Sequence, residues 1–348
     1  MNNLPILAIT MGDPAGVGPE IIAAALLRDS VRELCRPLVV GDAGAISRAA
    51  ALFSPVQEVH AVGDVADALF QKGVIDVWQI PQEHCPPKDY EWGKVSEKCG
   101  DAAFVSVRTA IGLAMAGKVD GTVTAPLNKE ALNKAGHHFD GHTEIYAHFT
   151  GTKKYAMFLA DEHLKVIHVS THVSLREACD RVKKARIIEV AELLHDALED
   201  FGIANPRIGV AGLNPHASDG GLFGWEEQQE IIPAVEELRG RGWSVAGPVS
   251  PDALYAQAKC GRYDGVVAMY HDQGHIPFKV LGFDWDPQTG KMSADKGVNI
   301  TLGLPIIRVS VDHGTAFDVA GKGIASAEGL VSAIEYAARM AVGRRKRL

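Results

Sequence analysis

Short runs of apolar residues alternate with longer segments of helical periodicity along almost the whole chain, and this alternation constrains the fold more than any other feature. The short runs are rich in Val and Ile, and most of them end in Gly, Thr, Asn or His. The pattern predicts an α/β fold with a mostly parallel sheet. The predicted strands are Ile6–Thr10, Pro37–Gly41, Glu58–Val62, Asp120–Thr124, Ala156–Ala160, Val166–Ser170, Arg207–Ala211, Gly265–Met269 and Ile306–Val311.

The length of 348 residues favours two domains, each with enough chain for a buried core. No Pro-, Gly- or Ser-rich linker separates two halves, so we expect the chain to cross between the domains more than once. The helices with the clearest periodicity are predicted at Pro19–Arg28, Ala102–Ala116, Ala185–Phe201, Glu226–Arg239 and Ala325–Val342.

Charge and cysteine content exclude several classes of function. The 35 basic and 43 acidic residues give a net charge of −8, and the one basic block is Arg344–Arg347, which we expect to be a solvated helix end. The sequence therefore lacks the electrostatic footprint of a nucleic-acid-binding protein. The five cysteines form no CxxC pair, and neither a secretory leader nor an 18-residue apolar stretch is present. These features predict a cytoplasmic protein with no membrane partner.

Three predicted strands are followed closely by a histidine: His172, His216 and His271. Ligands of open α/β sheets bind beyond the carboxyl ends of the strands, so imidazoles far apart in sequence can meet there. A single histidine is more often a hydrogen-bonded structural residue, but three parallel occurrences favour a catalytic divalent-metal site. Such a site suits zinc or another borderline transition metal better than magnesium. Asp252 and Asp272 either orient such a ligand or serve as cap and turn residues.

Further segments have the composition of ligand-binding regions. Met11–Glu20 (MGDPAGVGPE) either lets backbone approach an anion or makes a tight turn, and it matches neither the GxGxxG nor the P-loop fingerprint. Asn214–Trp225 is richer in Gly than a simple connection needs, which predicts a loop folded close around a ligand. An anion pocket is predicted from residues that alone would be surface residues: His142, Thr143, Lys279, Asn299 and Arg308.

Eight motifs in order from Met11 to Gly323 closely resemble those of the 4-hydroxythreonine-4-phosphate dehydrogenase family, which includes relatives acting on four-carbon acid-sugar phosphates. The segment His313–Ser326 is also similar to the adenosine-binding loop of isopropylmalate dehydrogenase. The resemblance implies a two-domain isocitrate/isopropylmalate dehydrogenase-like fold with a cleft, which binds nucleotide without a GxGxxG fingerprint. The motifs are MGDPAGVGPE, TAPLNKEAL, GHTE, VSTHVSLRE, GLNPHASDGG, YHDQGHIPFK, GVNITLGLP and VDHGTAFDVAGKG.

The resemblance also implies an arrangement of domains and subunits. His172, His216 and His271 match the family's metal ligands, and His271 is supplied across the interface of a homodimer with shared active sites. The residues of the predicted anion pocket match contacts with the phosphorylated acid substrate. The nucleotide-side domain is expected to comprise residues 1–135 with 280–348, and the metal- and dimer-side domain residues 136–279.

The same resemblance assigns NAD as the cofactor. Its binding residues are expected to be His313, Gly314, Asp318 and Gly321. Asp318 matches an aspartate that holds the adenosine ribose. A carboxylate accepts hydrogen bonds from ribose hydroxyls and repels a 2′-phosphate, so we expect NAD to be preferred to NADP.

The implied reaction is the metal-dependent, NAD-linked oxidation and decarboxylation of a 4-phosphorylated 3-hydroxy acid. A base takes the hydroxyl proton as hydride leaves, and the resulting 3-oxo acid loses carbon dioxide. The candidates for this base are His142, Lys279, Asp252 and Asp272, and sequence does not rank them. A three-His metallohydrolase and a non-catalytic phosphate-binding protein are the alternatives from other classes.

The substrate is less constrained than the chemistry. The segment Gly274–Phe283 resembles the acid-sugar branch of the family, which favours threonate or erythronate 4-phosphate as the substrate. The alternative is 4-hydroxythreonine 4-phosphate of pyridoxine biosynthesis. The polar stretch Asp284–Lys296 is longer than the short connection expected there. It forms either part of the pocket rim or an exposed excursion.

Overall fold

The computed structural model describes residues 4–282, 285–287, 291–292 and 297–347. Helices and strands alternate through most of this length. The strands are β1 (Ile6–Thr10), β2 (Arg36–Gly41), β3 (Glu58–Val62), β4 (Val74–Gln79), β5 (Gly121–Thr124), β6 (Ala156–Ala160), β7 (Lys165–His168), β8 (Ile208–Ala211), β9 (Val245–Val249), β10 (Gly265–Ala268), β11 (Trp285–Asp286), β12 (Lys291–Met292), β13 (Val298–Leu302) and β14 (Arg308–Val311).

The helices follow most of these strands. A π-helical turn, Glu227–Ile231, leads directly into the ninth α-helix. The α-helices are α1 (Gly18–Leu26), α2 (Asp29–Leu34), α3 (Ala43–Ala50), α4 (Glu97–Met115), α5 (Lys129–Lys134), α6 (His142–Thr150), α7 (Leu175–Asp180), α8 (Lys184–Asp200), α9 (Ile232–Gly240), α10 (Pro251–Lys259), α11 (His271–Gly282) and α12 (Glu328–Arg347).

The chain folds into two compact units, and it crosses between them more than once. Unit 1 consists of Met1–Lys153 with Leu304–Val342, and unit 2 consists of Lys154–Gly303 with Gly343–Leu348. Each unit therefore contains segments that are distant in sequence. The domain boundaries inferred from the family resemblance stay a prediction.

Unit 1 contains six strands in the order β3-β4-β2-β1-β5-β14, and all their pairings are parallel. The central strands are apolar on both faces, as parallel strands covered by helices must be. In β1, Leu7 and Ile9 are completely buried. Ser96 caps the N-terminus of helix α4, and its hydroxyl accepts a hydrogen bond from the Cys99 N–H. Each fully buried Leu or Ile side chain stabilises this core by roughly 1.5–3 kcal/mol.

Unit 2 contains six strands in the order β13-β6-β7-β10-β8-β9. Strand β6 is antiparallel to both of its neighbours, whereas β7, β10, β8 and β9 run parallel to one another. A core cluster between this sheet and its helices includes Leu159, Val266 and Phe278. The parallel part places the carboxyl ends of β7, β10 and β8 along one edge, where the chain continues toward three histidines.

The predicted α/β class is confirmed, and each of the nine predicted strands overlaps an observed one. Strands β4, β9 and β13, and the two-residue strands β11 and β12, were not predicted. Within the excursion Asp284–Lys296, the described residues form the antiparallel pair β11 and β12. Its remaining residues, 284, 288–290 and 293–296, lie outside the described part of the chain, so its proposed effect on the pocket stays a prediction.

The C-terminal helix departs from the expectation of a merely solvated basic end. Arg344 and Arg347 both form ion pairs with the buried carboxyl group of Asp200, at 3.2 Å and 2.6 Å. Gly343 passes so close to α8 that a Cβ there would lie 2.0 Å from the Asp200 carbonyl oxygen. The basic tail is thus a docking element within unit 2. None of the helices in the described ranges is both long and apolar enough to cross a membrane.

Candidate functional site

The three predicted metal-binding histidines follow three neighbouring parallel strands of unit 2. His172 comes four residues after β7, His271 three residues after β10, and His216 five residues after β8. The sheet order β7-β10-β8 therefore brings their chain segments to the same edge. The rings of His172 and His271 lie 5.9 Å apart between centroids. The fold supplies nitrogen donors of the type that zinc prefers.

The three imidazoles do not form a closed cluster of ligand atoms within the described residues of one chain. There, the group whose potential ligand atoms all lie within 4.8 Å of one another is His195, Asp196 and Glu199 on α8. That group is already compensated, since Arg347 lies 3.4 Å from the Glu199 carboxylate. The assignment of the three histidines as metal ligands stays a prediction. It is compatible with the imidazole nitrogens that follow these three strand ends.

Asp272 contacts one of these histidines. Its Oδ1 lies 2.7 Å from Nδ1 of His271. A carboxylate at that distance accepts the Nδ1 hydrogen, which leaves the lone pair on Nε2 available as a metal ligand. Asp252 lies in the first turn of α10, where a hydrogen bond from the Ser250 hydroxyl holds the pKa of its carboxyl group below the ordinary value. Both aspartates are exposed.

The loop that carries His216 is held by a carboxylate that the sequence did not reveal. Glu227 is completely buried, and its Oε1 accepts hydrogen bonds from the Leu213 and Asn214 N–H groups, both at 2.8 Å. Its Oε2 accepts a third bond from the Asn214 side chain. These bonds support a left-handed run of backbone, His216 to Asp219, with φ between 44° and 73°.

A second undetected residue links two of the histidine-bearing segments. The buried Gln273 accepts a hydrogen bond from the Met269 N–H and donates one to the Gly212 carbonyl, each at 2.7 Å. Met269 follows β10 and Gly212 follows β8, so one side chain ties the two strand ends together. The distance of 61 residues between Gln273 and Gly212 explains why sequence periodicity gave no signal.

Unit 1 contains three of the predicted anion-binding residues, namely Arg308 on β14 with His142 and Thr143 at the start of α6. The Arg308 guanidinium is buried, donates to the Thr124 hydroxyl at 3.1 Å, and lies 5.8 Å from the centre of the Tyr146 ring. Burial lowers the pKa of Arg308 to about 10, so the group is still cationic at neutral pH. The other two predicted residues, Lys279 on α11 and Asn299 on β13, belong to unit 2.

His142 is neutral at physiological pH. Burial, and secondarily the charge of Arg308, holds its pKa well below the ordinary value. Its Nε2 is buried and has no hydrogen-bonding partner among the described residues. Burial of a polar nitrogen without a partner is unfavourable, so this atom is poised to bond a ligand. A strongly lowered pKa makes the imidazole a weak base, which favours a binding role.

The loop His313–Gly321, predicted to hold the cofactor, is supported by the N-terminal Gly-rich segment. The Val17 N–H donates to the Thr315 carbonyl at 3.0 Å, and a Cβ on Gly16 would lie 2.9 Å from that residue. Glu20 is buried and accepts hydrogen bonds from the Gly321 and Ala325 N–H groups. The MGDPAGVGPE motif therefore packs against other parts of unit 1.

Two of the predicted cofactor residues have contrasting surroundings. Gly321 has φ +77°, and a Cβ there would lie 2.0 Å from the Trp92 ring, so the close approach requires glycine. Asp318 is exposed, as are His313 and Gly314, and its carboxylate is accessible to a ligand.

Asp13 is a further buried carboxyl group that the sequence did not reveal. Its side chain is completely buried, and Oδ1 accepts a hydrogen bond from the Ala15 N–H at 2.9 Å. Burial raises its pKa to about 6, and Oδ2 has no partner among the described residues. The signal in the sequence was an acidic residue inside an otherwise apolar and Gly-rich segment.

Comparison with known proteins identifies the family. The model of the pyridoxal phosphate biosynthetic protein PdxA matches residues 33–337. D-threonate 4-phosphate dehydrogenase of Cupriavidus necator is 47% identical over 342 residues, covering 98% of each chain. 4-Hydroxythreonine-4-phosphate dehydrogenase of Desulfosudis oleivorans is 44% identical and covers 97% of this chain and 96% of that protein.

A solved structure agrees with both relatives. The crystal structure of 4-hydroxythreonine-4-phosphate dehydrogenase from Klebsiella pneumoniae superposes with a TM-score of 0.85 and 45% identity, covering 97% of this chain and 98% of that one. The match extends through both units of the fold, so the shared architecture is not limited to one of them. The chain belongs to the PdxA family.

Proposed function

We propose that this enzyme catalyses the NAD-linked oxidation and decarboxylation of D-threonate 4-phosphate or a closely similar acid-sugar 4-phosphate. The chain is an oxidoreductase of the dehydrogenase type that acts on a CH–OH group, as its relatives are named. The observation that carries the proposal is the placement of His172, His216 and His271 after three adjacent parallel strands. A metallohydrolase or a non-catalytic phosphate-binding protein is a weaker interpretation, because this chain aligns over nearly its whole length with relatives that are named dehydrogenases.

The reaction balances as follows for a tetronate 4-phosphate. The C3 hydroxyl loses its proton to a base and its hydride to NAD, which gives a 3-oxo acid and NADH. The bond between C1 and C2 then breaks, carbon dioxide leaves, and protonation of C2 gives dihydroxyacetone phosphate. A divalent metal ion, when bound, supplies a Lewis acid for the C3 oxygen.

The chain's own residues bind and orient the substrate. Arg308 offers a buried cation for one anionic group, and the neutral His142 offers a ring nitrogen for a hydrogen bond. Lys279, a cation, and Asn299, an amide, are further candidates for substrate contacts from the sequence. Orientation by several such contacts converts binding energy into rate. Asp252, Asp272 and Lys279 remain candidates for the base together with His142.

We also propose a homodimer in which His271 completes the site of the other subunit. Large apolar side chains are exposed on all three segments that follow the histidine-bearing strands, which supports an interface there. Zinc as the metal, NAD rather than NADP, and a cytoplasmic location belong to the same proposal. The exposed apolar side chains are Leu175, Leu222, Phe223, Trp225, Ile276 and Val280.

The deciding experiment measures NADH formation from D-threonate 4-phosphate, D-erythronate 4-phosphate and 4-hydroxythreonine 4-phosphate, each with added zinc. We expect the highest kcat/KM for a tetronate phosphate, with dihydroxyacetone phosphate as product. His216→Ala should abolish turnover and metal binding while the protein stays folded, because two imidazoles hold zinc poorly. Stoichiometric metal and a near-normal rate in that variant contradict the three-histidine site.

The shared site has its own test. Inactive His172→Ala and inactive His271→Ala chains, mixed under conditions of subunit exchange, should regain activity, because one of the two sites in a heterodimer then carries no substitution. A failure to regain activity after demonstrated exchange shows that each chain supplies all three ligands itself.

A further inference from the structure

Two histidines that are not among the predicted metal ligands, His168 and His275, lie next to His271. His168, the last residue of β7, is 1% exposed, and its Nε2 lies 3.1 Å from Nδ1 of His275 on α11. His168 Nδ1 lies 3.2 Å from the Met157 carbonyl oxygen. His275 Nδ1 also lies 3.1 Å from the His271 carbonyl oxygen. Two imidazoles and two carbonyl groups thus form one continuous hydrogen-bonded network.

The partners fix the hydrogen positions in this network. A carbonyl oxygen only accepts, so Nδ1 of His168 carries a hydrogen and donates it to Met157. Burial lowers the pKa of His168 to about 3, and its neutral ring therefore has a lone pair on Nε2. That lone pair accepts from Nδ1 of His275, which faces acceptors on both sides. Both rings are consequently held as Nδ1–H tautomers.

The network acts on the plane of the His271 ring. The His275 and His271 rings are stacked, with centroids 3.6 Å apart and an angle of 11° between their planes. Asp272 holds the edge of the His271 ring through Nδ1. Stacking on one face and a hydrogen bond on one edge together leave the ring little freedom to rotate. The Nε2 lone pair then has a defined direction before any ligand arrives.

Gly274 is the residue that makes this arrangement possible. A Cβ on Gly274 would lie 2.3 Å from Nε2 of His168, at the atom that accepts the hydrogen bond from His275. It would also lie 3.0 Å from Cγ2 of Val166. No other residue type fits there without displacement of the His168 ring, because real Cβ atoms do not approach so closely.

We propose that His168 and His275 are positioning residues that orient the His271 imidazole for metal binding, and that Gly274 gives the His168 ring its space. The inference rests on the proposed metal site. Groups that support a metal-binding histidine in this way typically change metal affinity by about 10–100-fold when they are replaced. Preorganisation is the physical reason, since a ring already aligned loses less entropy on binding.

The test measures the affinity of the metal-free, full-length protein for Zn²⁺ by competition with a chromogenic chelator. We expect His275→Ala to weaken Zn²⁺ binding by about 10–100-fold, and His275→Phe, which keeps an aromatic face, to weaken it less. Gly274→Ala should weaken it as well. His137→Ala is the matched control, because His137 also stacks on a ring, that of Phe104 at 3.7 Å in unit 1, and should leave the affinity unchanged.

A second readout does not depend on metal. Nitrogen-15 NMR of the metal-free protein should show His168 and His275 as Nδ1–H tautomers. His168→Phe leaves the His271 carbonyl as the acceptor for Nδ1 of His275 and should shift the nitrogen-15 resonance of that atom. Wild-type affinity in His275→Ala, or Nε2–H tautomers in the metal-free protein, overturns the inference. Failure of the metal site itself has a different signature, since wild type and His216→Ala would then bind Zn²⁺ equally.

Discussion

The candidate residues of the two units differ in how deeply they are buried within a single chain. In unit 1, Arg308 and Nε2 of His142 are buried, and burial lowers the pKa of both groups, which leaves Arg308 cationic and His142 neutral. In unit 2, His172, His216 and Asp272 are exposed. The residues proposed to bind the anion are thus desolvated by their own chain, whereas the exposed histidines of unit 2 would be shielded from water only by a ligand or a second subunit. Electrostatic interactions become strong only after that exclusion.

Replacement of Arg308 should have the largest effect. Arg308→Gln removes the buried cation that we propose binds an anionic group of the substrate, so kcat/KM should fall about 1000-fold, mainly through KM. Steady-state kinetics with the best substrate of the panel measures this loss. Arg176→Gln, at an exposed position on α7, is the control and should change kcat/KM by less than about threefold. Equal effects at the two positions contradict the contrast between the units.

Among substitutions in unit 2, replacement of Glu227 should have the largest effect on stability. Glu227→Ala leaves three hydrogen-bond donors of the His216 loop without their acceptor and should lower the free energy of unfolding by about 3 kcal/mol. Urea denaturation followed by circular dichroism measures the change. Glu226→Ala is the matched control, because Glu226 accepts from Asn214 and is not fully buried. A loss below about 1 kcal/mol in Glu227→Ala refutes the role of this carboxylate.

Asp13 predicts a pH dependence in unit 1. Its folded-state pKa of about 6 exceeds the ordinary 3.8, so the stabilisation is complete below 3.8 and is lost as pH rises through 6. Relative to Asp13→Asn, wild type should lose up to about 3 kcal/mol of stability between about pH 4 and about pH 7. Denaturation of both proteins across this range measures the difference. A difference that does not vary with pH shows that the carboxyl group ionises as it does in water.

The smallest predicted effect concerns the support of the loop His313–Gly321, which we propose binds the cofactor. Glu20→Gln keeps one acceptor oxygen for the Gly321 and Ala325 N–H groups and loses the other, so the Kd for NAD should rise about tenfold. Fluorescence titration measures the Kd. Glu328→Gln removes a half-exposed ion pair with Arg28 instead and should leave the Kd unchanged. If Glu20→Gln binds NAD like wild type, the loop does not depend on this carboxylate.

The local sequence pattern predicted most strands of the sheet. It missed strands that contain residues which are unusual inside a strand. Strands β1, β3 and β6 have the predicted limits. Strand β9 contains Gly247 and Pro248, which are unfavourable in a strand interior and are tolerated because β9 lies at the end of the unit 2 order. Strand β4 contains Asp76, a buried carboxylate that accepts hydrogen bonds from the Leu69 and Phe70 N–H groups.

Candidate site residues could be proposed from the sequence where a residue type alone indicates chemistry. The three histidines at strand ends and the cation Arg308 belong to this class. Glu20, Glu227, Gln273 and His168 do not, because their importance depends on which segments are neighbours in space. Glu20, for example, contacts Gly321 at a separation of 301 residues, and in sequence it is an ordinary acidic residue in the first turn of a helix.

The parallel pairing of β5 with β14 has a consequence for how the protein is made. The Arg308 guanidinium, in the first residue of β14, contacts Thr124 at a separation of 184 residues. At a synthesis rate of about 5–20 residues per second, β14 is synthesised roughly 10–40 s after β5. During that time one edge of a nearly complete parallel sheet lacks its neighbour, while all of unit 2 up to Gly303 has already been translated. The pairing of β14 with β5 completes the strand order of unit 1 and brings Arg308 to its buried position. A chain truncated before β14 therefore lacks both the last strand and the proposed anion site.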